Sequence, residues 1–577
     1  MTRMLSRRAR LALLVLIVAG GSSTSIAAGL RLNAEGNAQD FGFSVAAAGD
    51  VNGDAIPDLI VGAPSYDGIQ GFAGRAYLFL GPFDGDRSAE NADAIISAVN
   101  FGDNLGFSVA SAGDTNGDGF DDLLIGARSN DANGIQAGQA YLFRGPIRGE
   151  LHVSDATAVI SGEAFDELGR AVAGVGDLND DGLADIAVGA PLANGVSVSS
   201  GRVLVYYGPV SGALGTADAD AVIDGITFNE MLGNSVAAAG DVNDDGIDDL
   251  VIGGPRPNLN GAGTGHAYVF YGPVTGHHSA TEADVILQGE ALNDEFGVSV
   301  AGAQDVNGDG IDDLLIGASQ FTGSRSGKAY VFDGPLQGVV SASDATAVLP
   351  GEARESMYGS TVAMPGDVDG DGFADVLVGA EFDNSLAVHG GRAFLYRGPL
   401  SGTVGVSQAI VLTGSFGNFV GASVAPAGDL DGDERADLLI GASGFEGAGF
   451  AQVLHGADVV PQRVRVAVAP VGGPVHIPAG GGSFDFTVVL RNQSAQPQTI
   501  ELWTGLVVPP ARTPRTPVAG PIDITLPPGA TVQRVLTQTV SGSFPAGSST
   551  LFANIRRPVD TVGDLATLKF TKAPASN

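Results

Sequence analysis

An aspartate-rich loop recurs seven times along this chain, opening at Asp50, Asp114, Asp177, Asp241, Asp305, Asp367 and Asp429, at spacings of 62 to 64 residues. Each copy runs directly into an apolar stretch. The first reads Asp50-Val-Asn52-Gly-Asp54-Ala-Ile56-Pro-Asp58 and continues as Leu-Ile-Val-Gly62-Ala63-Pro64. A fixed period in the tens of residues means one supersecondary unit used repeatedly, and such units bury their apolar faces against their neighbours. The period therefore dictates architecture before any single residue is interpreted.

Each unit reads as four strands. In the first, Phe41 to Gly49 is built of small and β-branched residues, and Leu59-Ile-Val61 is apolar at successive positions, as in a strand covered on both faces. Arg75 to Leu80 is an aromatic-rich strand closed by Gly81-Pro82, and a fourth strand follows around Ala94-Ile-Ile96. Short strands, Gly/Pro punctuation and no 3.6-residue periodicity exclude a helical repeat. Four strands in each of seven units point to a β-propeller, whose radial closure protects sheet edges. Leu30 to Ala34 looks like one more fourth strand, whereas the seventh repeat stops at Leu454-His455-Gly456 without one. The N-terminal strand is thus expected to complete the last blade.

The loops have the chemistry of a cation cradle. Oxygen-bearing side chains at positions 1, 3, 5 and 9, with the backbone carbonyl of position 7, are what calcium takes from a tight loop. The first loop offers Asp50, Asn52, Asp54, Ile56 and Asp58; the second Asp114, Asn116, Asp118, Phe120 and Asp122; the third Asp177, Asn179, Asp181, Leu183 and Asp185. The fourth offers Asp241, Asn243, Asp245, Ile247 and Asp249, and the fifth Asp305, Asn307, Asp309, Ile311 and Asp313. Asp367, Asp369, Asp371, Phe373 and Asp375 make the sixth, and Asp429, Asp431, Asp433, Arg435 and Asp437 the seventh. Up to seven calcium ions, one per blade, are expected. Position 6 is glycine in five loops but Ala55 in the first and Glu434 in the seventh, so those two sites should be the weakest. An EF-hand is excluded: it needs a glutamate at position 12 and a helix after the loop, where this chain has Val61, Ile125 and their apolar equivalents.

The same loops account for much of the formal charge of −36, which excludes nucleic acid as a partner because phosphate backbones need a basic surface. The N-terminus supplies the compartment. Arg3, Arg7, Arg8 and Arg10 precede an apolar stretch from Leu11 to Gly20, and small residues end near Ala27 or Ala28. Residues 1–28 therefore read as a secretory signal peptide, with a signal anchor as the alternative. The mature chain, with no transmembrane helix, is expected to be secreted or surface-exposed, or periplasmic in a bacterium. It has no cysteine, so no disulfide can staple it there; calcium would take that role.

The pattern stops after residue 456. Residues 457–463 read as a linker and 464–577 as a proline-rich domain of alternating strands, among them Phe484 to Leu490, Thr499 to Trp503 and Thr550 to Ile555. A small immunoglobulin-like β-sandwich fits this length and pattern, with Trp503 in its core.

Phe41-Gly42 and Gly62-Ala63-Pro64 are the residues that name the FG-GAP repeat, and related pairs recur in register through Val420-Gly421 and Gly441-Ala442-Ser443. Residues 29–456 resemble the seven-bladed propeller of integrin α subunits and its bacterial relatives. The resemblance implies calcium in the Asp loops and a role in adhesion or recognition. An extracellular protein is the expected partner. A glycan, bound as a lectin-like propeller would bind it, is the alternative. Because the metal loops join first to second strands, partners should meet the opposite face, where Tyr66, Phe72, Phe165, Phe228, Arg256, Phe321, Arg325, Arg354, Phe382 and His389 are candidates. Enzymatic activity is not expected: the histidines are scattered, there is no Gly-x-Ser-x-Gly elbow, and the regular carboxylates are claimed by the loops. A polysaccharide-active enzyme is the least favoured reading.

Overall fold

The computed structural model describes residues 17–19, 22–24, 29–36, 40–66, 73–256, 263–319, 326–385, 387, 389–415, 417–444, 449–459, 464–470, 476–479, 481–492, 498–507, 515–526, 530–541, 547–556 and 565–572. Strands dominate throughout. The chain separates into two compact units, 1–366 with 374–459, and 460–577 with 367–373.

The first unit is a series of antiparallel sheets of one design. Ser44–Gly49, Asp58–Ala63, Arg75–Phe79 and Ala94–Ser97 pair in chain order to make the first. The same order recurs in the sheets that begin at Leu105–Gly113, Ala171–Gly174, Ser235–Gly240, Phe296–Gln304 and Val362–Gly366. The sheet beginning at Val420–Gly428 borrows its fourth strand: Leu30–Asn33 pairs antiparallel with Phe450–Leu454, Leu30 opposite Val453. Second strands such as Asp58–Ala63 and Asp122–Ala127 are buried at every residue, as their unbroken apolar runs require. First strands such as Ser44–Gly49, made of Ser, Val, Ala and Gly, mix buried and half-buried residues. Each first strand lies against the first strand of the next sheet, and Val420–Gly428 returns to lie against Ser44–Gly49.

The Phe-Gly and Gly-Ala elements meet across neighbouring sheets. A Cβ on Gly62 would stand 2.1 Å from the carbonyl oxygen of Gly106, and one on Gly441 would stand 2.1 Å from that of Gly42. Gly106 and Gly42 themselves have φ of +82° and +85°, a region costly for any residue with a Cβ. The Ser44 hydroxyl donates to the same Gly106 carbonyl at 2.8 Å.

The sequence pattern predicts four strands per unit, and most sheets have five. After the cis Gly-Pro that closes a third strand, the chain runs back beside the previous sheet: Gly149–His152 pairs parallel with Ala94–Ser97, and Gly276–Ser279 with Ala221–Asp224. The Gly149 N–H anchors the crossing on the Asp93 carbonyl at 2.7 Å. The reason is edge protection: an outer strand left bare would expose unpaired N–H and C=O groups. These segments are too short and polar to announce themselves in the sequence.

Most of the expected signal peptide lies outside the described residues. Its described parts, Ile17–Ala19 and Ser22–Thr24, pair antiparallel, and Val18 pairs with Val411. No helix among the described residues is long and apolar enough to cross a membrane.

The second unit has two sheets. One holds Val464–Pro470, Gly481–Asn492 and Thr531–Ser541; the other holds His476–Ile477, Leu565–Lys572, Gly547–Arg556, Gln498–Val507 and Arg515–Leu526. Alternate residues Phe486, Val488 and Leu490 of one sheet and Ile524 and Leu526 of the other are buried. The Trp503 side chain lies outside the described part.

Candidate metal centres

Each Asp loop joins the first strand of a sheet to its second, and its carboxylates divide the work by position. The position-1 carboxylate collects the loop's own backbone. Asp50 accepts from Gly53 at 2.7 Å, Asp54 at 3.0 Å and Ala55 at 2.7 Å. The N–H of position 6 repeats this bond in the other six loops, from Gly119 to Asp114 through Glu434 to Asp429. Position 5 accepts from position 7, as Asp54 does from Ile56 at 2.9 Å. Position 9 is the buried post: Asp58, Asp122, Asp185, Asp249, Asp313, Asp375 and Asp437 are fully shielded from solvent. Asp249 accepts from Val242 within its loop at 3.0 Å and from Gly272, beyond the third strand, at 3.0 Å.

Burial, reinforced by neighbouring acidic groups, pushes the Asp58 carboxyl up to about 6 and those of Asp185, Asp249 and Asp313 to about 7. Two further atoms mark the same deficit of positive charge. Oδ1 of Asn243, at position 3 of the fourth loop, is buried with no hydrogen-bond partner, and so is Oδ1 of Asp333. Asp333 follows the third strand of the fifth sheet and is pushed up first by burial and further by Asp309 and Asp305. A hard divalent cation would satisfy these oxygens. The donor set therefore fits calcium. In the sixth and seventh loops, Asp367, Asp369 and Asp371, and likewise Asp429, Asp431 and Asp433, bring one oxygen each within 4.8 Å of one another. In the first and fifth loops the position-3 amide instead turns its nitrogen to the position-9 carboxylate, Asn52 to Asp58 and Asn307 to Asp313, both at 3.3 Å.

Position 6 has positive φ in every loop. It runs from +86° to +91° at Gly119, Gly182, Gly246, Gly310 and Gly372, but Ala55 and Glu434 are held at +65° and +69°. A left-handed residue with a Cβ costs about 1–2 kcal/mol. Ala55→Gly and Glu434→Gly are therefore expected to raise stability by about 1 kcal/mol each, read from denaturant midpoints in calcium; no gain at either position would count against the strain.

Sequence reasoning missed two contributors. The residue just after each third strand, Leu80, Arg144, Tyr207, Tyr271, Asp333, Arg397 or His455, precedes a glycine whose N–H donates to the position-9 carboxylate of its sheet's loop, which places it one residue from that loop although distant in sequence. Asp333 and His455 bring titrating groups there. Position 8 was also overlooked: the Asp121 carboxylate accepts the Asp50 N–H at 2.7 Å, and Asp248 and Asp312 do the same for Asp177 and Asp241, tying neighbouring loops together.

The candidates at the other ends of the sheets scatter. Phe165 and Phe228 are 58% and 62% exposed, and the equivalent loops carry Phe101 at 72% and Leu292 at 54%. Arg354 is exposed. Tyr66 lies 3.9 Å beneath the Arg75 guanidinium, Arg256 pairs with Glu295 at 3.4 Å, and Phe382, His389 and Phe419 pack on one another. Phe72, Phe321 and Arg325 lie outside the described residues.

Comparison with known proteins agrees with this geometry. The FG-GAP repeat model matches residues 41–79, 105–143, 168–206, 232–270 and 296–332, and the FG-GAP-like repeat model matches 367–440. Integrin alpha-5 of Xenopus laevis is 32% identical over 255 residues, which is 42% of this chain and 22% of the relative. Integrin alpha-7 of Homo sapiens is 31% identical over 42% of this chain and 19% of its own length, and integrin alpha pat-2 of Caenorhabditis briggsae 32% over 37% and 18%. The chain is an FG-GAP repeat protein resembling integrin alpha propellers. It spans about a fifth of the length of these relatives. Among solved structures, the CARDB domain of a Pyrococcus furiosus protein covers 19% of this chain and 87% of its own at 14% identity, with a TM-score of 0.15, too low to carry an argument.

Proposed function

We propose that residues 29–456 form a seven-bladed, calcium-stabilised propeller that acts outside the cell as a non-enzymatic adhesion or recognition module. The cyclic packing of first strands supports seven blades closed by Leu30–Asn33. Two largely antiparallel sheets, with buried apolar residues on both, support an immunoglobulin-like second domain. Relatives that are integrin alpha chains support an extracellular setting and a protein partner.

One observation carries the binding reading. Large apolar side chains stand exposed on loops at the ends of the sheets away from the Asp loops: Phe101, Phe228 and Leu292 at equivalent positions, Phe165 one residue further along its loop, and Ile135 and Val198 on neighbouring loops. The Phe165 N–H bonds the Ile135 carbonyl at 2.8 Å and the Asn229 N–H bonds that of Val198 at 3.1 Å, so these tips are held in place. Rigid apolar tips exposed together mark an interaction surface. The same repetition, with Asn100, Glu163 and Asn229 nearby, would also serve a glycan reading, since sugars stack on aromatic faces and bond to amides and carboxylates.

The triple variant Phe101→Ser, Phe165→Ser, Phe228→Ser is expected to lose at least tenfold in adhesion to immobilised extracellular matrix proteins while keeping its melting temperature. Unchanged adhesion would place the partner elsewhere, and equal binding to a glycan array would favour the sugar.

A further inference from the structure

We propose that the seventh loop, through His455, takes a divalent transition ion of the zinc class in preference to calcium. The proposal rests on reading the Asp loops as cation sites, and it sets one of them apart. His455 Nδ1 lies 3.0 Å from Asp437 Oδ2 and 3.7 Å from Asp431 Oδ2, and these three residues can bring one donor atom each within 4.8 Å of one another. Six of the seven residues at this place after the third strand are Leu80, Arg144, Tyr207, Tyr271, Asp333 and Arg397. None of those carries an imidazole.

The spacing suits a small ion. Zinc makes bonds of about 2.1 Å to imidazole and carboxylate, so donors 3.0 and 3.7 Å apart subtend about 90° and 125° at the metal. Those angles lie within the range of four- and five-coordinate zinc. Calcium, at about 2.4 Å and seeking six to eight oxygens, gains nothing from a nitrogen, whereas imidazole is a preferred donor for zinc, nickel and copper. The donors are also fixed before any ion arrives. Asp437 is held by the N–H groups of Leu430 at 2.9 Å and Gly456 at 2.8 Å. The His455 carbonyl accepts from Asp458 at 2.9 Å and Val459 at 3.1 Å in the short helix Gly456–Val459. Asp431 is exposed on the loop surface, where its Oδ1 accepts the Asp433 N–H at 3.2 Å.

The test uses the untagged full chain, because a histidine tag would bind the same ions. Zinc is titrated calorimetrically in about 1 mM calcium, and cobalt(II) serves as the optical probe of the same site. The expected result is one zinc equivalent that calcium does not displace, with cobalt d–d absorption indicating nitrogen ligation. His455→Gln should weaken zinc binding by more than about 100-fold, since even outer-shell partners are worth 10- to 100-fold. Calcium uptake by the first six loops should stay unchanged in that variant. Asp431→Asn, at an exposed position, should weaken zinc at least tenfold and serves if His455→Gln melts early. No zinc uptake in calcium, or equal uptake by His455→Gln and Asp431→Asn, overturns the proposal. Loss of calcium binding by wild-type protein would instead overturn the calcium reading, and is measured separately by calcium titration.

Discussion

Chelating calcium is expected to lower the melting midpoint of the propeller unit by about 10 °C or more. The magnitude follows from linkage. An extracellular site with a dissociation constant near 0.1 mM contributes about 1.4 kcal/mol at about 1 mM calcium. Six such sites, leaving the seventh loop aside, reach on the order of 8 kcal/mol, comparable with a whole domain's net stability, in a chain with no cysteine to crosslink it. The effect carries a pH signature. Without the ion, the carboxyls of Asp185, Asp249 and Asp313 have folded values of about 7, above their unfolded values. Folding therefore favours their protonated forms. That contribution is complete below about pH 4 and is lost as pH rises through about 7. Stability in chelator should fall between pH 5 and 8, whereas calcium, which prefers the ionised carboxylates, should oppose the fall. Calorimetric melts with and without chelator across that range decide the matter. A midpoint indifferent to calcium at pH 8 would sink the structural role of the ions.

The second large effect separates metal ligation from fold. Asp249→Ala removes a fully buried carboxylate that accepts the Val242 and Gly272 N–H groups. Two buried donors left without partners cost about 1–3 kcal/mol each, so the variant should lose about 2–6 kcal/mol even in chelator. Asp245→Ala, in the same loop, removes an exposed side chain that bonds only locally, to the Ile247 N–H. It should cost about 1 kcal/mol in calcium and little without it. Denaturant melts of both variants, each with and without calcium, give the comparison. Equal losses at the two positions would mean that position 9 is merely another ligand.

Much of this was legible in the residues. The loops, the strand order and the closing role of Leu30 to Asn33 all leave local signals: aspartates at fixed offsets, apolar runs of strand length, and one fourth strand displaced to the other end of the repeat array. The position-6 exceptions, Ala55 and Glu434, were also readable, because a tight loop needs positive φ at a known place. What escaped has no local signature. The parallel fifth strand is chosen by the previous sheet's bare edge, and Gly149–His152 contains no apolar run of its own. Asp333 and His455 lie about 20 residues from the loops they approach.

The sequence by itself determined the repeat, the all-β character and the placing of carboxylate and amide oxygens at fixed offsets in each loop, because period, alternation and residue spacing act over a few residues. Only the tertiary structure decided why the repeat carries its glycines. Gly62 and Gly106 are required because two backbones from neighbouring sheets meet with no room for a Cβ. The same approach at Gly441 and Gly42 brings the last sheet against the first. Contacts of that kind depend on distances between neighbouring sheets, which no short stretch of chain encodes.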